Sequence, residues 1–353
     1  MNVGIIGAGM AFEKLHFPAF QKLTDKFKIV AICDLDLHKR QYWANRLGLS
    51  MEDTYEDYRS MMERSDIDVY DIIVPLHLNY EITENVARQI AGIGKGIICE
   101  KPTADNMEDA RAHRDLPNKF GVSVLIAEHT RFSDEINMIR DAVISNKIGE
   151  IKYFIYNKVT DFPAEMAGDT YSAREWRQYP PYRGGVFLDS GVHNLAVMRH
   201  IFGAVDRVQA FGRPEERSFS PYEVINANIL FHSGVTGLFS FFCSGSDAQK
   251  PAVGLRIFGT EGTLYLEDQD CGVIRIFYHN GTEETIEYTP QNGFYLEILH
   301  MYHVLHGQAP MQVTPEVCYG DTKMVFDILK SIEEQSIITV DKPGIREELY
   351  TQL

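Results

Sequence analysis

Three residues of the chain have side chains that could move a proton and stabilise a negative oxygen. Lys101 follows an apolar run that ends in Glu100, and Pro102 comes directly after it. A lysine at a strand end can contact the hydroxyl of a reacting carbon and stabilise an alkoxide as hydride leaves. Asp189 and His193 are four residues apart, so an α-helix would turn both toward one side. An imidazole titrates near neutral pH, so His193 could accept the hydroxyl proton during oxidation and return it during reduction.

The aspartate and the histidine also have a purely structural interpretation. Asp189 could be the N-cap of a helix, and His193 could be a packed core residue. The presence of Lys101 favours the catalytic interpretation. In that case Asp189 binds a neighbouring hydroxyl or tunes the histidine, and Ser190 adds a hydrogen bond.

A glycine-containing loop follows the first apolar run. Gly7 permits a tight turn, and Gly9 lets the backbone approach a pyrophosphate at the positive end of a helix that continues through Met10 and Ala11. The third small residue usual in such loops is absent, because Phe12 stands there. A loop with two glycines is also compatible with an ordinary strand–helix turn.

The second apolar run ends in Asp34, which strengthens the nucleotide interpretation. A carboxylate at this strand end can accept hydrogen bonds from both adenosine ribose hydroxyls and would repel a 2′-phosphate. We therefore expect NAD rather than NADP. The alternative is that Asp34 or Asp36 only caps the following helix.

The elements that must position these residues differ between the two parts of the chain. The first part alternates nearly continuous apolar runs with amphipathic stretches, which is typical of a doubly wound parallel sheet. The expected strands are 3–6, 29–33, 69–74, 96–99 and 122–126, and helices are expected over 37–47, 55–64 and 80–91. We assign residues 1–126 to an α/β Rossmann domain that binds NAD.

Residues 127–353 are expected to form an α+β domain with a large, mostly antiparallel open sheet for substrate binding and oligomerisation. A helix is expected over 133–146, and longer strands over 152–159, 207–212, 224–231, 236–243, 253–259, 263–267 and 274–279. Asn280-Gly281 predicts a hairpin turn, since both positions favour positive φ. A final helix over 315–334 is expected to pack against this sheet.

Composition excludes several classes of protein. The chain has 353 residues and a formal charge of −16, which disfavours binding to nucleic acid or to an anionic membrane surface. Its five cysteines are scattered and form no Cys-x-x-Cys pair, so neither a disulfide framework nor a metal site is expected. Without a leader or a long apolar stretch, the expected location is the cytoplasm.

Five segments together resemble the glucose–fructose oxidoreductase and inositol dehydrogenase (Gfo/Idh/MocA) family. They are the opening 3–9, the Glu-Lys-Pro at 100–102, the Gly-Gly…Asp…His segment 184–193, the segment 259–262, and the late helix after 314–316. The resemblance implies a Rossmann domain followed by a domain with an open sheet that often forms oligomer contacts, here a homodimer or homotetramer. It also implies oxidation or reduction of sugars, polyols or their derivatives with a nicotinamide cofactor.

The resemblance also implies roles for particular residues. Pro75, Glu100 and Lys101 are expected to contact the cofactor, and the bond between Lys101 and Pro102 is often cis in such proteins. Arg131, Trp176 and Arg177 are expected to line the substrate pocket.

Three positions depart from the family pattern. Phe12 replaces the third small residue of the loop, Asn79 stands where a histidine is common, and Ala196 stands where an aspartate is common. These departures motivate a second hypothesis, an NAD-binding regulatory protein on the same scaffold. A third is an enzyme whose NAD stays bound and whose net reaction is hydrolysis, elimination or epimerisation through a transient ketone. The intact set of Lys101, Asp189 and His193 favours the dehydrogenase or reductase.

Overall fold

The computed structural model describes residues 1–168, 175–245 and 253–341. The chain forms two compact units, of which the first contains residues 1–129 and 293–319. The second contains the described residues of 130–292 and of 320–353. Among the helices in these residues, none is long and apolar enough to cross a membrane.

A six-stranded parallel sheet forms the centre of the first unit. Its strands lie in the order β3-β2-β1-β4-β5-β6. They are β1 Asn2–Ile6, β2 Lys28–Cys33, β3 Thr54–Tyr55, β4 Val69–Ile72, β5 Gly96–Glu100 and β6 Ser123–Ala127. The helices between them are α1 Phe17–Lys22, α2 Leu37–Leu47, α3 Tyr58–Met61, α4 Asn79–Gln89 and α5 Met107–Phe120. The central strands are buried along almost their whole length, which confirms the predicted Rossmann-type sheet.

One expected helix of this unit is much shorter than the sequence indicated. Residues 55–64 were expected to be helical, but Tyr55 pairs with Cys33 as part of β3. Asp57 then caps α3, since its side chain accepts a hydrogen bond from the backbone N–H of Arg59. The edge-strand pairing and this cap leave only four residues for the helix.

A nine-stranded sheet forms the second unit, in the order β14-β13-β12-β11-β7-β10-β9-β8-β15. All neighbouring pairs are antiparallel except β7 and β10, so the predicted mostly antiparallel sheet is confirmed. The strands are β7 Ile151–Val159, β8 Val205–Pro214, β9 Tyr222–Phe231, β10 Thr236–Phe242, β11 Gly254–Gly259, β12 Gly262–Leu266, β13 Val273–Tyr278, β14 Glu283–Glu287 and β15 Ile338–Thr339. The hairpin between β13 and β14 is present, but of its two predicted turn residues only Gly281 has a positive φ, at 86°.

Helices α6 Asp134–Ile144, α7 Phe162–Met166, α8 Glu175–Gln178 and α9 Val192–Phe202 also belong to this unit. Every residue of α9 is buried except His193, which is half-buried.

A helix that the sequence patterns did not reveal changes the division of the chain. This helix, α10 Gly293–Leu305, lies in the first unit, whereas residues 127–353 were all assigned to the second domain. Its Met301 packs against β5 at Gly96, and Tyr302 contacts the ring of Phe27 edge-on. The backbone N–H of Ile126 then donates to the carbonyl of Val313. These contacts cover an apolar face of the first sheet.

The final helix, α11 Pro315–Glu334, has its predicted bounds.

Two short π-helical segments interrupt the helices nearest to the candidate residues. One covers Phe12–His16 and leads into α1, and the other covers Phe187–Gly191 and leads into α9. A π-helical turn accommodates one extra residue and is frequent at functional sites. Phe12 is fully buried in the first segment and contacts Trp43 edge-on, with ring centroids 4.6 Å apart.

Because Phe12 fills this position completely, Phe12→Ala should leave a cavity and lower the free energy of unfolding by about 3–5 kcal/mol. Urea unfolding followed by circular dichroism measures the change. Ile93→Ala is the control, since Ile93 is 59% exposed in the same unit and its loss should cost no more than about 0.5 kcal/mol. Equal effects of the two substitutions would contradict the packing role of Phe12.

Candidate active site

The two glycines of the first loop have different surroundings. Gly7 has a φ of 96°, and a Cβ there would lie 2.0 Å from the carbonyl oxygen of Ile73 on the neighbouring chain segment. Gly9 has no heavy atom within 4 Å of its virtual Cβ. Gly7 is therefore required by the fold itself, whereas Gly9 leaves open space in front of the loop. Met10 and Ala11 follow it and are partly exposed.

Asp34 ties this loop to the end of β2. Its Oδ2 accepts a hydrogen bond from the backbone N–H of Ala8 at 2.9 Å, and its Oδ1 accepts one from Asp36 at 2.9 Å. The N-cap of α2 is Asp36, whose side chain accepts from the N–H of His38. Capping is therefore the role of Asp36, and the carboxylate of Asp34 retains acceptor sites for further donors.

The aromatic side chains beside the loop explain how it forms without a third glycine. Trp43 donates its indole N–H to the carbonyl of Ala8 at 3.1 Å. Phe12 and Phe17 both contact the Trp43 ring edge-on or tilted. Phe12 therefore stabilises the loop through its contact with Trp43.

The turn at the end of β5 is fixed by buried polar side chains. Its Lys101–Pro102 bond is cis, as the family resemblance implied. Asn79, which is almost completely buried, donates from Nδ2 to the carbonyls of Glu100 and Pro102, each at 2.9 Å. The amide therefore holds both ends of this turn. Pro75 is exposed at the start of the preceding 3-10 turn, Leu76–Leu78.

The structure gives His16 a role in this turn that sequence reasoning missed. The Nε2 of His16 lies 3.0 Å from Oε1 of Glu100. Its Nδ1 lies 2.9 Å from Oδ2 of Asp71 on β4. Nothing in the local pattern indicates partners that are 55 and 84 residues away in the chain.

In the second unit, Asp189 is paired with Arg177. The Nε of Arg177 lies 3.0 Å from Oδ2 of Asp189, and Nη2 donates to Oδ1 at 3.3 Å. Asp189 and Ser190 lie in the π-helical segment rather than in an α-helix, so the α-helical spacing assumed between Asp189 and His193 does not apply there. His193 is the half-buried residue of α9, and the neighbouring Asn194 donates to the hydroxyl of Tyr156 at 2.7 Å.

Arg131 does not have the accessible position expected for a substrate-binding residue. Its side chain is fully buried, and its Nη2 donates to both carboxylate oxygens of Asp321 at 2.7 and 2.8 Å. Arg199 of α9 lies 3.2 Å from the same carboxylate. Burial, together with the nearby charges of Arg131 and Arg140, keeps the pKa of His200 well below its ordinary value. Arg131 therefore belongs to a buried ionic cluster that anchors α9.

Ala196, one of the three departures from the family pattern, adds no polar group to the site. Ala196 is fully buried in α9, in place of the aspartate common in the family. The side chain of Trp176 lies outside the described residues. Of the residues expected to bind the cofactor, all eight belong to the first unit: Gly7, Gly9, Met10, Ala11, Asp34, Pro75, Glu100 and Lys101. Asp189, Ser190, His193 and Arg177 belong to the second.

The open space at Gly9 and the carboxylate of Asp34 fit a dinucleotide. A pyrophosphate can approach the backbone at Gly9, at the start of the helix through Met10 and Ala11. Asp34 is placed to accept hydrogen bonds from ribose hydroxyls.

Comparison with protein families matches both parts of the chain. Residues 1–128 match the NAD-binding Rossmann fold of the GFO_IDH_MocA oxidoreductase family, and residues 136–265 match the GFO/IDH/MocA C-terminal domain.

Individual relatives agree with these matches. A D-apiose dehydrogenase from Paraburkholderia graminis is 26% identical and aligns over 74% of this chain and 66% of its own length. A D-glucoside 3-dehydrogenase from Escherichia coli is 26% identical, over 66% of this chain and 68% of its own length. The solved structure of a levoglucosan dehydrogenase in complex with NADH has a TM-score of 0.83 and 20% identity, and covers 97% of this chain and 99% of that one.

The different surroundings of the two glycines lead to opposite outcomes for two substitutions. Gly9→Ala should leave thermal stability nearly unchanged but weaken NADH binding at least tenfold, because its methyl group occupies the space that the pyrophosphate needs. Gly7→Ala should lower stability, since its Cβ would collide with a backbone carbonyl. Differential scanning fluorimetry and NADH fluorescence titration measure the two effects. Wild-type NADH affinity in Gly9→Ala would refute the loop as the pyrophosphate site.

Proposed function

This chain belongs to the Gfo/Idh/MocA family of NAD-binding oxidoreductases, and we propose that it transfers hydride between NAD and a hydroxyl-bearing carbon, or the corresponding ketone, of a sugar, polyol or sugar derivative. The observation that carries the proposal is the turn at residues 100–102, at the end of β5 in the same sheet as the strand before the glycine loop. The buried side chains of Asn79 and His16 hold this turn. The sugar-like substrate is supported by relatives named for D-apiose and D-glucoside oxidation.

We assign the binding of the cofactor to the first unit. Gly7, Gly9, Met10 and Ala11 form the loop and helix start for the pyrophosphate, and Asp34 accepts from the ribose. Pro75, Glu100 and Lys101 are assigned to the nicotinamide end. When bound, NAD supplies the acceptor for hydride in oxidation and its donor in reduction.

The chain's own residues handle the proton and the oxygen. The Lys101 ammonium stabilises negative charge on the substrate oxygen as the carbon–hydrogen bond breaks. His193 takes the hydroxyl proton in oxidation and returns it in reduction. Asp189, oriented by Arg177, binds a neighbouring hydroxyl, and Ser190 adds a hydrogen bond. One hydride and one proton leave the alcohol, which gives the ketone.

The first measurement is the formation of NADH, followed by absorbance, when the protein is mixed with NAD and a panel of sugars, polyols and sugar acids. We expect turnover of at least one member. Silence across the panel, with NAD binding demonstrated in the same samples, would favour a regulatory protein or an enzyme that retains and recycles its NAD.

Substitution of the two assigned groups tests their roles. Lys101→Met and His193→Ala should each lower kcat by about 10²–10⁴-fold, the usual contribution of a positioned acid–base group. NADH affinity should change far less in His193→Ala, because His193 belongs to the second unit and the cofactor residues to the first. Unchanged turnover in both variants would remove these residues from the mechanism.

We also propose that the outer face of the nine-stranded sheet forms a homodimer or homotetramer contact. Along its strands buried and exposed residues alternate, and large apolar residues lie on the exposed side: Tyr153, Phe211, Leu238 and Phe277. Tyr153 and Phe258 stack there, with ring centroids 4.3 Å apart. Exposed aromatic groups of this kind commonly mark interaction sites.

The chain's free cysteines fit a reducing compartment, and we propose that the protein is located in the cytoplasm.

Sedimentation velocity tests the association. The wild-type protein should sediment as a dimer or tetramer, and the double variant Tyr153→Glu/Phe211→Glu as a smaller species, because charges would replace apolar contact area. Ile93→Glu is the control, since Ile93 is 59% exposed in the first unit. A wild-type protein that remains monomeric at all concentrations would end this proposal.

A further inference from the structure

A fully buried histidine lies between two carboxylates beneath the Lys101 turn. His16 has no exposed surface, and neither does Asp71. The Nδ1 of His16 lies 2.9 Å from Oδ2 of Asp71, and its Nε2 lies 3.0 Å from Oε1 of Glu100. The three side chains come from the π-helical segment, β4 and β5 respectively. The arrangement is therefore tertiary and not the by-product of one helix.

The number of protons in this cluster follows from its geometry. Ionised carboxylates only accept hydrogen bonds, so two contacts from ring nitrogens to carboxylate oxygens require two protons. Either His16 is an imidazolium between two carboxylates, or it is neutral and one carboxyl is protonated. Burial by itself lowers the pKa of His16, but the charge and hydrogen bond of Asp71 and those of Glu100 outweigh it and raise this pKa well above its ordinary value. Burial raises the pKa of Asp71 as well, although the charge and hydrogen bond of His16 oppose that change. The imidazolium form, which donates from both ring nitrogens, matches the two observed contacts.

A third carboxyl group approaches the cluster from α10. Glu297 is fully buried, and among the described residues neither of its oxygens has a hydrogen-bond partner. Burial raises the pKa of Glu297 well above its ordinary value; His16 opposes the change, while Glu100, Glu128 and Asp71 add to it. Burial without a hydrogen-bond partner therefore favours the neutral form of this carboxyl group. The charged groups that act on His16 are Asp71 and Glu100. Glu128 is a further carboxylate, which acts on Glu297.

Other buried histidines of the first unit differ from His16. The Nδ1 of His113 donates to the carbonyl of Thr103 at 2.7 Å, and burial lowers the pKa of His113 to about 4. His300 accepts a hydrogen bond from the backbone N–H of Gln312, and burial again lowers its pKa to about 4. These two side chains are neutral in the working pH range. Two carboxylate partners therefore distinguish His16 from a histidine that only fills space.

We propose that Asp71 and His16 form a buried ionic relay that holds the Glu100 carboxylate in place, which makes His16 a positioning residue for the reaction at the neighbouring Lys101. Glu100 is then fixed at two points, its side chain by His16 and its carbonyl by Asn79. A Glu100 side chain of fixed position also fixes the turn that carries Lys101, so that the lysine meets the substrate oxygen from one direction. This inference rests on the proposed oxidoreductase function.

The charge of His16 can be measured without any substrate. In protein labelled with ¹⁵N-histidine, both ring nitrogens of His16 should carry protons from pH 6 to pH 9, with the signal assigned by its loss in His16→Gln. In Asp71→Asn the negative partner is gone, so His16 should titrate within this range. NADH affinity should then acquire a pH dependence that the wild-type protein lacks. With an active substrate, kcat/KM should fall by about 10–100-fold, the scale of a small misplacement of a reacting group.

The matched control is His300→Gln, which removes a buried but neutral imidazole from the same unit. It should lower thermal stability without changing the His16 signals or the pH profile. If His16→Gln does not fold, Asp71→Asn assigns the signal by its shift. A wild-type His16 that is neutral at pH 7, or an Asp71→Asn protein with the wild-type pH profile, would overturn the relay. Because these readouts need only NADH, they remain decisive even if no sugar is turned over.

Discussion

The close passage of Gly7 beside the segment after β4 is the constraint from which the first unit's site develops. At 2.0 Å from a virtual Cβ, the carbonyl of Ile73 leaves no room for any side chain. The loop must therefore turn sharply at this point, and the backbone N–H of Gly7 donates to Cys33 on the other neighbouring strand. Once the loop is held between two strands, Asp34 can reach Ala8, and the helix after it begins at the open end of the sheet. The carboxyl ends of parallel strands share an edge, so β5 delivers Glu100 and Lys101 to this same edge.

Much of this architecture is visible in the sequence because burial on both faces leaves continuous apolar runs. The parallel strands were predicted on that basis, whereas the antiparallel sheet was predicted from longer strand-like stretches and the hairpin signal at Asn280-Gly281. Helix α10 was missed because its residues Gly293–Leu305 show little separation into an apolar and a polar face. The π-helical segments were missed for another reason, since one extra residue in a helix changes no composition and no turn signal. The family resemblance implied that Arg131 lines the substrate pocket, whereas its buried partner is Asp321, 190 residues away in the chain. Long-range pairing of this kind leaves no local pattern.

In each unit a cluster of buried charged side chains holds a backbone segment that carries a candidate residue, but the two clusters consist of different residue types. In the second unit Arg131 and Arg199 share Asp321, and Arg199 also reaches Asp341 at 2.7 Å. Removal of one partner from such a cluster leaves an uncompensated buried charge, which costs about 3–5 kcal/mol. Gly320 lies against the same cluster, and any side chain there would collide with it, because a Cβ would lie 2.2 Å from Nη2 of Arg199. Helix α9, and with it the backbone at His193, is held by charge pairing as well as by apolar contact.

The membership of α10 in the first unit has a consequence for biosynthesis. Domains generally fold as they emerge from the ribosome, the N-terminal one first. Here the nascent chain cannot cover the apolar face of its first sheet until residues 293–319 have been made, after nearly all strands of the second sheet. Folding of the first unit therefore stays incomplete until then, because Gly96 and Phe27 lack the side chains of α10 that cover them. Residues 293–319 thus complete a unit whose other residues are made long before them, and ribosome stalling before residue 319 would release an incomplete nucleotide-binding unit.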